Sequence, residues 1–401
     1  MSALKYWIWL DTLPGLSHRS KLLLLEHFIS PEEVYYAHAE ELALCEGIKK
    51  EQVALAENKS MERAEEILEL CVRKELFVVT MEDAAYPARL RNIFEPPILL
   101  YGKGKMPLFD EEAAIAMVGT RRCTPYGLRI AEQLGYELAS QGALIVSGMA
   151  LGIDAAAHRG ALRSGGFVAA VLGGGVDVVY PPENQRLYDD IAARGVLLSE
   201  FPPGMPPIGT NFHRRNRILS GLCLATVVVE APKKSGALIT ADAAIEQGRD
   251  VFAVPGPMGS VSSQGCNDLI RQGASLVGES WDILGVYQNR YPHKLNRQHI
   301  EAPLPTPQEK KAPKKAEMSP PAARVLDLKR NREGLTDDQI VLMQVLSRDK
   351  PLLTDEAAEI TGIPVRRVLS ALTVLEIDGF AHQDSARRFV RTVDIRMNKE
   401  G

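Results

Sequence analysis

Six short apolar runs, each followed by a stretch of helical periodicity, constrain the fold more than any other feature of this chain. The runs are IAMVG (115–119), ALIVSG (143–148), FVAAVLGG (167–174), GVLLSE (195–200), ATVVVEA (225–231) and DVFAVPG (250–256). Such continuous apolar runs predict strands buried on both faces, and the stretches between them predict crossover helices. The sequence therefore indicates an α/β fold with a Rossmann-like, doubly wound, mostly parallel sheet. The preceding segment, residues 77–104, is expected to add edge strands.

The rest of the chain divides around this sheet domain, which we expect to span residues 76–285. Residues 1–75 have helical spacing and predict a small domain similar to sterile-alpha-motif or helix-hairpin-helix modules. Residues 286–334 include a proline- and lysine-rich stretch and predict a flexible linker. Residues 335–396 read as three helices and a short hairpin, which is typical of a winged helix.

Composition narrows the class of protein. With 51 acidic and 47 basic residues, the net charge of −4 argues against uniform coating of DNA but allows a focused basic groove. No apolar run approaches the roughly 18 residues of a membrane helix, and the start does not read as a signal peptide, so we expect a cytoplasmic protein without membrane contact. The five cysteines form no C-x-x-C pair, which indicates neither a zinc site nor a disulfide framework. We expect all five to be ordinary reduced cysteines, and we single out Cys123 because it follows two arginines, which favours a lowered thiol pKa.

Cations without nearby acids follow three of the predicted strands. The arginine-rich stretch NFHRRNRILSGL (211–222) lies in a region, between Phe201 and Val229, that holds no Asp or Glu. Ligands of open parallel sheets bind beyond the carboxyl ends of the strands, and Gly and Ser there favour phosphate. Three such ends carry more positive charge than one mononucleotide needs, so they predict a polyphosphate backbone as ligand. The candidate DNA-binding residues are Gly119, Thr120, Arg121, Arg122, Phe212, Arg214, Arg215, Asn216, Arg217, Lys234, Ser235 and Gly236.

The residues of the arginine-rich stretch have different expected roles. Phe212 beside arginines is suited to base stacking, and its alternative is a core phenylalanine beneath a loop. We expect ILSGL (218–222) to form the helix that anchors that loop to the sheet.

Four other residues are candidates for chemistry. Asp154 and His158 share one helix face and are either a catalytic pair or, as we favour, part of a hydrogen-bond network at a helix start. Glu200 and Glu230 end strands and are either catalytic carboxylates or, as we favour, orient the neighbouring arginines. The glycine-rich turns match neither a dinucleotide fingerprint nor a Walker motif, and we expect no cofactor and no metal.

The motifs together resemble the DNA-processing A family (DprA or Smf) of bacterial natural transformation. The matching stretches are VGTRRCTPYG, IVSGMALGIDAAAHRGAL, AVLGGGVDVVYPPEN, LLSEFPPG, FHRRNRILSGL, VVVEAPKKSGALITA, GRDVFAVPG and QGCNDLIRQGA. The resemblance implies a homodimer that binds single-stranded DNA in a positive pocket, delivers the RecA recombinase onto incoming strands and displaces single-strand-binding protein. It implies no catalytic turnover.

The resemblance also implies roles for single residues. Gly119-Thr120-Arg121 is the first phosphate clamp, Phe212 the stacking residue, and Arg215-Asn216-Arg217 the second clamp, with Lys234-Ser235-Gly236 bordering the same pocket. The chain departs from the family pattern at His213, where proline is usual. It also lacks a lysine just before Phe212, a charge that Arg214 is expected to supply, and Leu151 stands where the family has arginine.

Two other classes of function stay open at this stage. One is a nucleotide-hydrolysing enzyme of the phosphoribohydrolase type, although neither LGGGVD nor VPGPMG matches the P-G-G-x-G-T loop of those enzymes. The other is a regulator that reads duplex DNA through the winged helix, with Arg366 and Arg367 in its recognition helix and Arg387 and Arg388 in its wing. For this domain we favour protein interaction instead. Candidate dimer contacts are Leu269, Ile270 and Leu276.

Overall fold

The structure, a computed structural model, describes residues 2–297, 325–327, 335–348, 350–383 and 388–396. The chain divides into two compact units, Met1–Pro307 and Gln308–Gly401. Most of the predicted linker and the tip of the predicted hairpin lie outside the described residues. No helix in the described part of the chain is long and apolar enough to cross a membrane.

Six helices form the amino-terminal part of the first unit. They are α1 (Ser2–Thr12), α2 (His18–Phe28), α3 (Pro31–Tyr36), α4 (Ala39–Leu42), α5 (Lys50–Ala56) and α6 (Glu62–Arg73). The Ser17 and Ser30 side chains cap α2 and α3 by accepting backbone N–H groups of the first turn. Apolar residues of these helices, such as Ile8 and Leu10, share one core with Tyr101 of the sheet. The helical region therefore packs directly against the sheet.

Nine strands of the described residues form one sheet. They are β1 (Phe77–Thr80), β2 (Leu99–Gly104), β3 (Ala114–Val118), β4 (Leu144–Ser147), β5 (Val168–Val171), β6 (Val196–Ser199), β7 (Ala225–Val228), β8 (Asp250–Ala253) and β9 (Ser275–Leu276). Their order is β1-β2-β6-β5-β4-β3-β7-β8-β9. The β1–β2 and β2–β6 pairs are antiparallel and the other pairs are parallel. The six predicted strands and the predicted edge strands are confirmed.

Helices cover both faces of this sheet. They are α7 (Ala88–Arg91), α8 (Pro125–Ser140), α9 (Ile153–Arg163), α10 (Gln185–Arg194), α11 (Gly209–Gly221), α12 (Gly236–Glu246), α13 (Gln264–Arg271) and α14 (Trp281–Leu284), with 3₁₀ turns at Phe109–Glu111, Pro182–Asn184, Val261–Ser263 and Gly285–Tyr287. Successive β3 residues alternate between two cores: Ile115 and Met117 pack on one face, Ala114 and Ala116 on the other. This arrangement confirms the doubly wound fold.

Helix α11 begins earlier than the sequence suggested. We expected residues 211–217 to form a loop anchored by a helix at 218–222, but the helix starts at Gly209. No glycine or proline occurs between Gly209 and Gly221, and the buried positions Asn211, Arg215 and Ile218 follow helical spacing. The loop prediction was wrong, and the arginines lie on a helix.

The second unit is a winged helix with a core of its own. Its elements are β10 (Val325–Asp327), α15 (Asp337–Val345), β11 (Leu352–Leu353), α16 (Thr354–Thr361), α17 (Val365–Ile377), β12 (Ala381–Gln383), β13 (Arg388–Arg391) and β14 (Asp394–Arg396). β12 and β13 form an antiparallel hairpin that β11 extends, and Leu342, Val368, Leu372 and Phe389 are buried in the core. The predicted winged helix is confirmed.

Candidate functional site

A cavity of about 900 Å³ opens at the carboxyl ends of the parallel strands of the first unit. Ten of the twelve candidate residues line it: Gly119, Thr120, Arg121, Arg122, Phe212, Arg215, Asn216, Lys234, Ser235 and Gly236. Their loops follow β3 and β7, which are neighbours in the sheet, and α11 brings its residues in from β6. The cationic strand ends therefore meet at one edge of the sheet, as the topology argument predicted.

Helical geometry divides the arginines of α11 between two faces. At 100° per residue, Phe212, Arg215 and Asn216 share a face, whereas Arg214 and Arg217 point away from it. The first three line the cavity, and the last two are the candidate residues that lie elsewhere. An irregular loop would not impose this division of the arginines between two faces.

Arg214 and Arg217 both contact Glu200, the carboxylate that follows β6. Arg217 Nη2 donates to Glu200 Oε2, and Arg214 Nη2 lies 3.5 Å from the same oxygen. Burial raises the pKa of Glu200, and the two arginines oppose that rise. The preferred interpretation of Glu200, that it orients arginines, is confirmed.

Glu230 has a different partner from the one we expected. Its carboxylate accepts hydrogen bonds from Thr124 N at 2.8 Å and from Thr124 Oγ1 at 2.7 Å, just before α8. Gly127 allows this approach, because a Cβ there would lie 2.2 Å from Glu230 Oε2. The prediction that Glu230 orients an arginine was wrong, and the residue instead fixes the start of α8.

Phe212 lies between an aromatic ring and a cation at the cavity wall. Its ring centroid is 5.5 Å from that of Tyr180 and 5.0 Å from the guanidinium carbon of Arg121. A Cβ at Gly173 would lie 2.7 Å from the Phe212 ring, so the glycine after β5 permits the ring to pack there. Phe212 is half-buried and lines the cavity, and it is therefore not a core residue beneath a loop.

Arg215 is a buried, fixed cation at the cavity wall. Its Nη1 donates to the carbonyl of Val171, and its Nε donates to Asn216 Oδ1 at 3.1 Å. Burial lowers the pKa of Arg215 to about 10, and the neighbouring Asp154 opposes that shift. Arg215 is therefore still a cation at neutral pH.

The cavity favours an anion. Among its lining residues, Arg121, Arg122, Arg215 and Lys234 are cations, and Asp154 is the only acid. The first residues of α11 and α12 also line it, so two helix amino termini add positive partial charge. Ser235 caps α12, its Oγ accepting from Ala237 N at 3.3 Å. This combination suits a phosphate-bearing ligand.

Asp154 and His158 do not form a catalytic pair. Asp154 Oδ2 accepts from Gly148 N at 3.2 Å, which fits the predicted hydrogen-bond network at the helix start. His158 is fully buried and does not line the cavity, and neither of its ring nitrogens has a hydrogen-bond partner among the described residues. Burial lowers the pKa of His158 to about 3. The network therefore includes Asp154 and not His158.

Cys123 is half-buried just before α8. Burial raises the pKa of the Cys123 thiol, so the neighbouring arginines do not lower it below its ordinary value. Within the described ranges, no group of three or more His, Cys, Asp or Glu side chains could hold a metal ion.

Sequence reasoning missed several residues of this site, among them Tyr180, Val261 and Ser262, which all line the cavity. Tyr180 was the easiest to find, since an aromatic residue before two prolines follows the glycine-rich end of β5. Val261 and Ser262 follow β8 in a segment with no charge or aromatic ring to mark it.

Comparisons with known proteins match both units. The family described as DNA recombination-mediator protein A matches residues 77–288, and the DprA winged helix domain matches residues 309–386. The DNA processing protein DprA of Streptococcus pneumoniae is 44% identical over 51% of this chain and 72% of that protein. Protein Smf of Synechocystis sp. is 32% identical over 96% of this chain and 98% of that protein. The solved structure of the Streptococcus pneumoniae protein matches with 37% identity and a TM-score of 0.61, over 70% of this chain and 97% of that one.

Proposed function

Because this chain belongs to the DNA recombination-mediator protein A family, we propose that it binds single-stranded DNA in the cavity described above and delivers the RecA recombinase onto that strand. In this proposal it acts in the cytoplasm as a homodimer during natural transformation and homologous recombination. It displaces single-strand-binding protein and performs no catalytic turnover. One observation carries the proposal: four cations and a half-buried aromatic ring line a cavity that holds a single acid.

The exposed cations are suited to the phosphates of a flexible strand. Arg121, Arg122 and Lys234 are exposed at the cavity, whereas Arg215 adds charge from a buried position. Phe212 and Tyr180 offer ring faces on which bases can stack, and bases present their faces only when they are not stacked within a duplex. Gly119, Thr120, Asn216, Ser235 and Gly236 complete the lining. We therefore assign the cavity to single rather than double strands.

We assign a different role to Arg214 and Arg217. Both contact Glu200 outside the cavity, so we propose that they hold the carboxyl end of β6 in place and contribute little to strand binding. His213, which stands where the family usually has proline, is exposed at the cavity rim and can contact the strand instead.

The far edge of the sheet is our proposed dimer face. β9 is an edge strand, and an uncovered edge favours pairing with another chain. Leu276 of β9 is exposed there, and Ile245 and Val286 are exposed around a cavity of about 420 Å³ beside β8 and β9. Of the other candidate dimer contacts, Leu269 is buried and Ile270 is half-buried, which makes Leu276 the best candidate of the three.

A recombinase assembly assay tests the proposed function. Single-stranded DNA is coated with single-strand-binding protein, RecA and ATP are added, and filament growth is followed with and without this protein. We expect filament growth to start sooner when the protein is present. Unchanged growth with demonstrated strand binding would remove the mediator role and leave a DNA-binding protein.

The nucleotide-hydrolysing alternative is not favoured. Glu200 and Glu230 are both engaged with protein partners, and Asp154, the one acid of the cavity lining, is buried and bonded to backbone. Incubation with nucleoside monophosphates is expected to release no free base. Release of base that depends on Asp154 would favour the enzyme instead.

A further inference from the structure

Two exposed apolar side chains follow β8 in the segment that reaches the cavity: Met258 lies in a turn, and Val261 begins the next 3₁₀ turn. Met258 is 99% exposed and Val261 is 67% exposed, and Val261 and Ser262 line the same cavity as the cations. These residues follow β8, whereas the Phe212 and Tyr180 rings belong to segments that follow β6 and β5. The proposed function gives Met258 and Val261 no role.

Hydrogen bonds hold the segment that carries these two side chains in place. Ser260 N donates to the carbonyl of Pro257 at 3.1 Å, and Gly259 has a φ of 87°, a backbone conformation that turns of this kind reserve for glycine. Asn267 holds the base of the turn through two hydrogen bonds to Gly256, of 3.2 and 3.1 Å. The exposed side chains are therefore presented on a supported segment.

The order of the strands places this turn at the opposite end of the cavity from the aromatic rings. Between β5 and β8 the sheet holds β4, β3 and β7. Strands lie about 4.8 Å apart, so the ends of β5 and β8, which lead to Tyr180 and to this turn, are separated by roughly 19 Å along the sheet edge. A stacked strand rises ~3.4 Å per nucleotide and an unstacked strand spans more, so that distance corresponds to at most about six nucleotides.

The cations occupy the interval between the two apolar ends. Arg121 and Arg122 follow β3, and Lys234 follows β7. A strand that crosses the cavity along the sheet edge thus meets aromatic rings, then cations, then the apolar turn. Because Val261 is continuous with the cation-lined cavity, a base of the same strand is the occupant that fits it.

We propose that Met258 and Val261 form a second base-contacting platform, so that the protein contacts bases at both ends of a bound single strand. This inference rests on the proposed function, since it deepens the assignment of the cavity to single-stranded DNA. It assigns to one protomer a bound segment of at most about six nucleotides, with phosphates on the central cations and bases against both ends.

Oligonucleotides of two lengths distinguish binding at one end of the cavity from binding at both ends. The variant Met258→Ser/Val261→Ser removes apolar surface without changing charge. Thymidine oligonucleotides of about two and about ten nucleotides would be titrated by fluorescence anisotropy, the shorter one being too short to reach both ends. We expect the variant to bind the longer oligonucleotide roughly fivefold more weakly and the shorter one within about twofold of wild type.

Two further variants complete the design. Phe212→Ala is expected to weaken both lengths, because a short strand still uses the aromatic end. Val72→Ser removes an equally exposed apolar side chain, 77% exposed, from α6 and is expected to change neither. Thermal melting of each variant checks that the fold is intact.

Different results would overturn this inference and the proposed function. Wild-type affinity of the double variant for the longer oligonucleotide overturns the second platform, and so does an equal loss for both lengths. The proposed function fails on a different result, namely wild-type binding of both lengths by Arg121→Glu.

Discussion

Arg121, Arg215 and Arg217 carry the same charge in three different environments. Arg121 is exposed at the cavity beside the Phe212 ring, and its guanidinium is available to a ligand. Arg215 is buried and bonded to the chain itself, and Arg217 is committed to the buried carboxylate of Glu200. Because each side chain meets a different partner, substitution of each should produce a different defect.

Arg217→Ala should act mainly on stability. It leaves Glu200 buried with only the half-exposed Arg214 beside it, and breaking a buried ion pair destabilises by about 3 kcal/mol or more. Arg214→Ala is the matched control; its side chain is 52% exposed, so we expect a loss of less than about 1 kcal/mol. Urea unfolding measures both. A large loss of strand affinity by Arg217→Ala at unchanged stability would place Arg217 in the DNA site.

His158 should make the fold sensitive to acid. Its pKa is about 3 in the folded protein against an ordinary value of 6.5, because burial disfavours the charged ring. Between these values the unfolded chain binds a proton that the folded chain does not, so stability falls as the pH is lowered through that window. The loss from one such group reaches about 1.4 kcal/mol per pH unit. Burial also lowers the pKa of His18, to about 4, so His18 adds a loss of the same sign.

Comparison of wild type with His158→Leu isolates this effect. Urea unfolding at pH 7 and pH 5 is expected to show a smaller acid-induced loss for the variant. The same loss in both proteins would mean that His158 accepts a proton without unfolding.

At the scale of elements, the strands were predictable and the start of α11 was not. Each apolar run is long enough to identify a buried strand, and the parallel order then brings the ends of β3 and β7 to one edge. The sequence 211–217 lacks the apolar periodicity that marks most helices, because its inward positions are filled by Asn211, Arg215 and Asn216. Arg215 among them is bonded to Val171, a partner distant in sequence that no local pattern reveals. The division of the arginines was therefore beyond sequence reasoning.

The close packing of α8 against α9 can be tested by substitution of a glycine. The two helices approach closely at Gly160, where a Cβ would lie 2.0 Å from the carbonyl oxygen of Glu132. Gly160→Ala is expected to destabilise by about 1–3 kcal/mol through overpacking. Gly209→Ala is the control, since a Cβ there meets no atom within 4 Å and its φ is not positive. Urea unfolding compares them, and equal stability of the two variants would contradict the close contact.

At the scale of the whole molecule, each unit has its own core and the cavity belongs to the first. All residues that line it fall between Val118 and Ser262, and the winged helix packs around its own residues such as Leu342 and Phe389. We therefore expect removal of residues 308–401 to leave affinity for a short single strand within about twofold of the full chain. Fluorescence anisotropy measures this. Loss of most of the affinity would assign strand binding to both units.

The surface of α17 bears on the role of the winged helix. Arg367 is bound to Asp338 through two hydrogen bonds of 2.9 and 2.8 Å, and the exposed face of the helix includes Val365 and Leu369. Because Arg367 is engaged by Asp338 and the exposed face is apolar, we favour contact with protein over reading of duplex DNA. This role stays a prediction.

The central claim is that the cavity of the first unit binds single-stranded DNA through its phosphates. Titration of one labelled sequence, as single strand and as duplex, over a series of salt concentrations tests it most directly, with Arg121→Glu beside wild type and Arg63→Glu as a control of equal charge change on α6. We predict tighter binding of the single strand, a steep loss of affinity with salt, and a further loss of about 1–3 kcal/mol with a shallower salt dependence for Arg121→Glu alone. Wild-type affinity of Arg121→Glu at every salt concentration would contradict the claim.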